Sequence, residues 1–282
     1  MDQKRNPWEV PGWRAIGREA ALINQLLGSG ATALGRANYA DRLGDYYTAF
    51  FGLSIGLERL AKLILIADRA ISDGGALPNQ GVVRKFGHKL AALTDAADKV
   101  CATRQLELRY KRPASPIVDK IIDCLDAFAD AGRGRYANFK ELGDPSVGQG
   151  EPIEAWWNEV ADAILAAHYY GKPSQKRIES NAEAVHELMT PVSFILFINE
   201  SNDVMMSARE ASLRTGQSEL VQRYGRYYAL TVARWLAEAF SALATRACFE
   251  DGIDAFFGVW EHLSSYVVPN ELLKSRKVWP LS

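Results

Sequence analysis

A chain of 282 residues, 48% apolar and 24% charged, has ample material for a buried core and lacks the compositional bias of a disordered or fibrous protein. A net charge of −1 excludes a strongly basic chain, but the charge is uneven: residues 1–150 hold 21 Lys and Arg against 17 Asp and Glu, and 151–282 hold 12 against 17. The uncharged, apolar-rich stretches 46–57 and 188–199 fall well short of the roughly 20 apolar residues of a membrane span.

The first residues, MDQKRNPWEVPGW, contain no apolar leader, so no secretory signal is expected. Cys101, Cys124 and Cys248 are scattered and form no C-x-x-C pair. Buried thiols in a reducing, cytoplasmic compartment are therefore expected.

Pro7 and Pro11 predict an extended lead-in. A first amphipathic helix is predicted over 14–27 from Ile16, Ala20, Ile23 and Leu27, with Gly28-Ser29-Gly30 interrupting or ending it. The dominant element is a helix over about 40–71. Tyr46, Phe50, Leu53, Leu57, Leu60, Ile64 and Ala67 recur at steps of four and three, and Tyr47, Phe51, Ala61 and Leu65 add a second apolar row. A helix apolar over this much of its circumference belongs inside a bundle. Asp73-Gly74-Gly75 closes it, and 77–81 reads as a turn.

Further helices are predicted over 87–103 and, after a Ser115-Pro116 start, over 116–131. Five glycines and two prolines across 132–152 mark a connection. Helices over 153–170, 174–189, 191–214 and 219–249 follow, then short aromatic-rich pieces that pack against them. No run of alternating strands occurs. An all-α fold is expected: a bundle over 1–142 built round a long central helix, a Gly/Pro connection at 143–152, and a second helical lobe over 153–282 packed on it.

Glu58, Arg59 and Lys62 interrupt the apolar surface of the central helix within two turns. Glu58 and Lys62 are four apart in the favourable order for an ion pair. Either they fix helix register, or they line a site between helices; half-buried charges require partners in both cases. The densest basic runs, Arg84-Lys85-Phe86-Gly87-His88-Lys89 and Arg104 to Arg112, flank the helix over 87–103. Arg84, Lys85, His88, Lys89, Arg109, Lys111 and Arg112 are the candidate nucleic-acid contacts, with Phe86 and Tyr110 as stacking partners. Arg133, Arg135, Tyr136 and Asn138 form a compact set after the fourth predicted helix, in which an arginine and an amide lie close enough to grip a phosphate.

Other chemistries lack their parts. Glu183-x-x-His186 has the spacing of half a carboxylate-bridged metal site but no matching second half, so no metal is expected. No nucleophile elbow and no phosphate-cradling glycine loop is present, and no cofactor is implied.

The segments YYTAFFGLSIGLERLAKLILIA, KFGHKLAAL and RGRYANF together resemble a divergent HEPN protein (higher eukaryotes and prokaryotes nucleotide-binding), over about residues 40–140. This resemblance implies an antiparallel helical bundle, commonly a homodimer, from a prokaryotic defence or toxin–antitoxin-like system. It also implies RNA or a protein encoded nearby as partner. Many HEPN members are metal-independent ribonucleases whose motif is an arginine, a polar residue and, after four to six intervening positions, a histidine. Counting from Arg133 or Arg135, no histidine falls in the window, and Arg84 precedes His88 too closely. Arg135 matches the phosphate-gripping arginine, while the catalytic histidine has no counterpart. A non-catalytic interaction or RNA-binding component is the first expectation. A divergent ribonuclease using Arg133, Arg135, Tyr136 and Asn138, with His88 brought in spatially, is the second, and a plain dimerisation scaffold the third.

Overall fold

The computed structural model describes residues 6–129 and 151–281. Among these the chain is an antiparallel all-α bundle, with one two-stranded hairpin as its only sheet. No described helix is long and apolar enough to cross a membrane.

Helix α1 (Trp13–Leu34) buries Ile16, Ala20, Ile23 and Leu27 on the face that their spacing predicts. It does not stop at Gly28-Ser29-Gly30. A Cβ on Gly30 would lie 2.9 Å from the Leu53 amide nitrogen, and one on Gly52 would lie 2.6 Å from the Leu26 carbonyl oxygen. These glycines let α1 touch the backbone of α2 (Gly44–Ser72), which outweighs a helix-propensity penalty of about 1 kcal/mol each. Gly30 meets Gly52 and Leu27 meets Gly56, so the two helices run antiparallel.

Central helix α2 buries the whole expected row from Tyr46 to Ala67. Its second row is used only in part: Ala61 is buried, whereas Tyr47 and Phe51 remain exposed. The Gly75 amide donates to the Ala70 carbonyl at 2.8 Å, with Gly74 and Gly75 both at positive φ, so the predicted stop operates. Asn79 caps the short α3 (Gln80–Lys85) by accepting from the Val82 amide. Helix α4 (Leu90–Thr103) has no cap of its own, and Asp126 of α5 (Pro116–Ala129) accepts from the Leu90 and Ala91 amides instead.

Glu151 caps α6 (Pro152–Ala155), which continues through a π-helical stretch (Trp156–Ala161) into α7 (Asp162–His168). Helix α8 (Pro173–Met189) then returns. The segment 191–214 is not the continuous helix that its apolar spacing suggests. Its β-branched and aromatic residues Phe194, Ile195, Phe197 and Ile198 lie instead in a non-helical run that ends in a strand. Strand β1 (Phe197–Ile198) pairs antiparallel with β2 (Val204–Met205), and Asn202 takes positive φ in the turn. Helix α9 (Ala208–Phe249) begins eleven residues before the predicted start at 219, at a capping box formed by Ser207 and Glu210. Its 42 residues make a rod of about 63 Å.

After α9, two 3-10 turns (Asp254–Phe256 and Val259–Tyr266) and α10 (Asn270–Ser275) strap the chain back across α1 and α9. Tyr266 donates to the Asn24 carbonyl at 2.9 Å, and the Trp279 amide donates to Thr32 Oγ1 at 3.0 Å. At Gly28 the Pro280 carbonyl occupies the space that a side chain would need. One contiguous apolar core contains residues from α1, α2, α4, α5, α9, the 152–168 rod and the C-terminal strap.

Candidate functional site

The polar interruption of α2 becomes a site because a distant loop reaches it. Glu58 and Lys62 sit one turn apart, both largely buried, with Lys62 Nζ 2.7 Å from Glu58 Oε1. Gly87, at φ +78°, turns the chain between α3 and α4 and carries His88 over this pair. His88 Nδ1 lies 3.0 Å from the same Glu58 oxygen and 3.4 Å from Lys62 Nζ. A carboxylate facing Nδ1 favours the tautomer with its proton there, which makes Nε2 the acceptor nitrogen. The imidazole is 76% exposed, so that acceptor is available to a ligand.

Arg59, next on the helix, pairs with Glu19 of α1. These residues edge a cleft of about 440 Å³ between α1, α2 and the 77–88 connection. Ile16, Leu63, Ile66, Leu77 and Val83 give it an apolar floor. The volume is that of a small-ligand site, and the lining combines an apolar surface with a few convergent polar groups. Arg84 and Lys85, in the last turn of α3, and Lys89, next to His88, are exposed.

The second basic run is engaged elsewhere. Backbone amides of Arg109 and Tyr110 donate to Glu238 of α9 at 2.9 and 2.7 Å. Arg112 pairs with Asp95 and Asp98 of α4, its guanidinium 5.9 Å from the Trp235 ring centroid, and Lys111 is exposed beside it. The structure therefore gathers Glu58, Arg59, Lys62 and His88, with Arg84, Lys85 and Lys89 nearby, and gives Arg109 and Arg112 partners on α9 and α4. Arg133, Arg135, Tyr136 and Asn138 lie outside the described residues. Glu183 pairs with Arg209, and His186 Nδ1 lies 3.1 Å from Thr190 Oγ1. Among the described residues no three His, Cys, Asp or Glu side chains converge as a metal site.

A second polar assembly escapes inspection of the sequence. Glu200, in the turn between β1 and β2, is fully buried and accepts from Arg214 Nε at 2.7 Å, from Tyr46 at 3.2 Å and from Ser218 at 3.3 Å. Trp157 Nε1 donates to the Tyr46 hydroxyl at 2.9 Å, and the Arg214 guanidinium lies 3.5 Å from the Trp157 ring centroid. Burial, then the Glu200 charge, holds the Tyr46 phenol well above its ordinary range, so it stays protonated as a donor. This assembly anchors the hairpin turn to the bundle. Its one signal in the sequence is a lone glutamate at the end of a long uncharged run.

No protein-family model, no curated protein and no solved structure matches the chain.

Proposed function

We propose that the protein is a HEPN-like RNA-binding component that holds its ligand without cleaving it, within a defence or toxin–antitoxin-like system. The observation that supports this reading is the mostly exposed His88 ring, held by Glu58 on the rim of an apolar-floored cleft, with Arg84 and Lys85 exposed in the last turn of α3 and Lys89 exposed just after His88. A base fits against the apolar floor, and phosphates fit against Arg84, Lys85 and Lys89.

The test is anisotropy of a labelled single-stranded RNA with the full chain in EDTA, across a salt series, with the RNA recovered afterwards. Binding is expected to leave the RNA intact. Replacing Arg84 and Lys85 by alanine is expected to flatten the logarithmic salt slope by about 0.7 for each phosphate that is no longer neutralised. Absence of binding at low salt, or a slope unchanged by those substitutions, refutes the reading.

A second reading, a divergent metal-independent ribonuclease, is favoured by one contact. Glu58 orients His88 as a carboxylate orients a general base, leaving Nε2 free to accept a proton from a ribose 2′-hydroxyl. It requires cleavage in EDTA that His88→Ala, Glu58→Gln and Arg135→Ala each abolish.

A further inference from the structure

Near its start, helix α1 carries three residues that cost the helix stability. Gly17 is the first. A Cβ there would meet nothing within 4 Å, so unlike Gly28, Gly30 and Gly52 it makes room for no part of the chain. Inside a helix it forfeits about 1 kcal/mol relative to alanine. Arg14 and Arg18 stand one turn apart on the same face, where like charges repel. Arg14 also lies in the first turn, where the helix dipole disfavours a cation. Neither arginine has an ion-pair partner among the described residues. All three line one cleft of about 590 Å³, within the range of small-molecule sites. Local rules broken together at one place, with no gain in packing, are expected where a ligand supplies the gain.

The other walls are largely aromatic. Trp8, on a 3-10 turn (Pro7–Glu9), is 63% exposed yet held in place. Its amide donates to Asn6 Oδ1 at 3.2 Å, and its ring meets Trp13 edge to face with 4.7 Å between centroids. Trp13 Nε1 donates to the Phe257 carbonyl at 2.8 Å, which ties this wall to the exposed Phe257 and leaves the Trp13 ring only its apolar surface to offer. Glu261 is the one carboxylate among the lining residues, so the cleft keeps an excess of positive charge.

We propose that this cleft binds a small aromatic monoanion, a flat ring system with a single carboxylate or sulfonate head. The ring packs against Trp8, Trp13 and Phe257 over Gly17, and the head pairs with Arg14 and Arg18. Charge selects this class on both sides. An uncharged aromatic molecule would leave the two arginines without a counter-ion. A polyanion such as RNA would bring further negative groups into a lining where two cations one turn apart serve one head and Glu261 repels a second. Ala15 and Glu19, on another face of α1, line the His88 cleft, so this binding is independent of RNA binding.

The test is fluorescence titration of the full chain with anilinonaphthalene sulfonate, beside phenylnaphthylamine, the same ring system without the charge. One tightly bound sulfonate per chain is expected, with an affinity about tenfold or more above that of the neutral probe. Arg14→Gln/Arg18→Gln is expected to weaken the sulfonate about tenfold and to leave the neutral probe unchanged. Gly17→Leu is expected to weaken both probes about tenfold while Tm holds or rises, since leucine fills the floor and is the better helix former. No sulfonate binding up to about 1 mM overturns the proposal, and so does equal affinity for the two probes. Sulfonate binding that the arginine variant leaves unchanged also overturns it, because the probe then sits on other apolar surface such as the 192–206 hairpin. Should Gly17→Leu fail to fold, the wild type and the arginine variant, whose substitutions are both exposed, decide by the same criteria. No RNA enters the measurement, so its outcome is separate from that of the functional proposal.

Discussion

Replacing Glu200 by glutamine removes one charge from a buried ion pair. The amide keeps the volume and still accepts from Tyr46 or Ser218. It leaves Arg214 largely buried against Trp157 without its counter-ion. Breaking a buried pair from one side costs about 3–5 kcal/mol, because the remaining charge keeps its desolvation penalty and loses its compensation. At roughly 2–3 °C per kcal/mol for a chain of this size, Glu200→Gln should lower Tm by about 6–15 °C. Differential scanning fluorimetry, checked by urea titration, reads this directly. Adding Arg214→Met removes the orphaned charge and should restore at least half of the loss, since the two side chains act as one unit. A Tm within about 2 °C of wild type for Glu200→Gln would refute the reasoning, because changes of that size are ordinary at surface positions with no special role.

Three further outcomes are expected. Gly52→Ala should destabilise by about 1–3 kcal/mol in urea titration, because its Cβ meets the Leu26 carbonyl and the Gly30 backbone, whereas Gly44→Ala, with nothing within 4 Å, should be neutral or stabilising. His88→Ala should leave Tm unchanged within about 2 °C while weakening RNA binding, since the ring is mostly in solvent. His168 stacks on Tyr224 at 3.6 Å and lies 3.0 Å from the Tyr228 hydroxyl; burial, then Lys274 and Lys172, lower its pKa. The unfolded chain then binds the extra proton first, so this contribution to stability is complete above the ordinary histidine value near 6.5 and is lost as pH falls through the lowered one. Urea midpoints measured between pH 7.5 and 5 should fall less steeply in His168→Gln than in wild type.

Helices with a clear period are legible in the sequence, and the α2 row from Tyr46 to Ala67 is the clearest case, because a buried stripe leaves a pattern that no partner needs to supply. Glycine is where local reading fails. Gly28 and Gly30 read locally as a stop, and only the approach of α2 and of the C-terminal strap shows that they remove Cβ atoms from a crowded contact. The segment 191–214 misleads for a related reason. Its apolar residues suit a strand or a helix, and the choice rests on long-range anchoring of Glu200. At the candidate site, the Glu58–Lys62 pair follows from four-residue spacing, but Glu19 and His88 are 40 and 30 residues from their partners. Gly87, which takes positive φ, is the local hint that the loop folds back.

Helix α9 also works as a ruler. Near one end Arg214 holds the hairpin turn through Glu200, and near the other Arg246 donates to the Arg104 carbonyl at 3.0 Å. The two grips are about 48 Å apart along an unbroken helix. Neither end can approach the other without bending that rod, so the hairpin turn keeps a fixed spacing to the 104–112 loop. Deleting about four residues between the grips would bring them about 6 Å closer and rotate one by about 40° relative to the other.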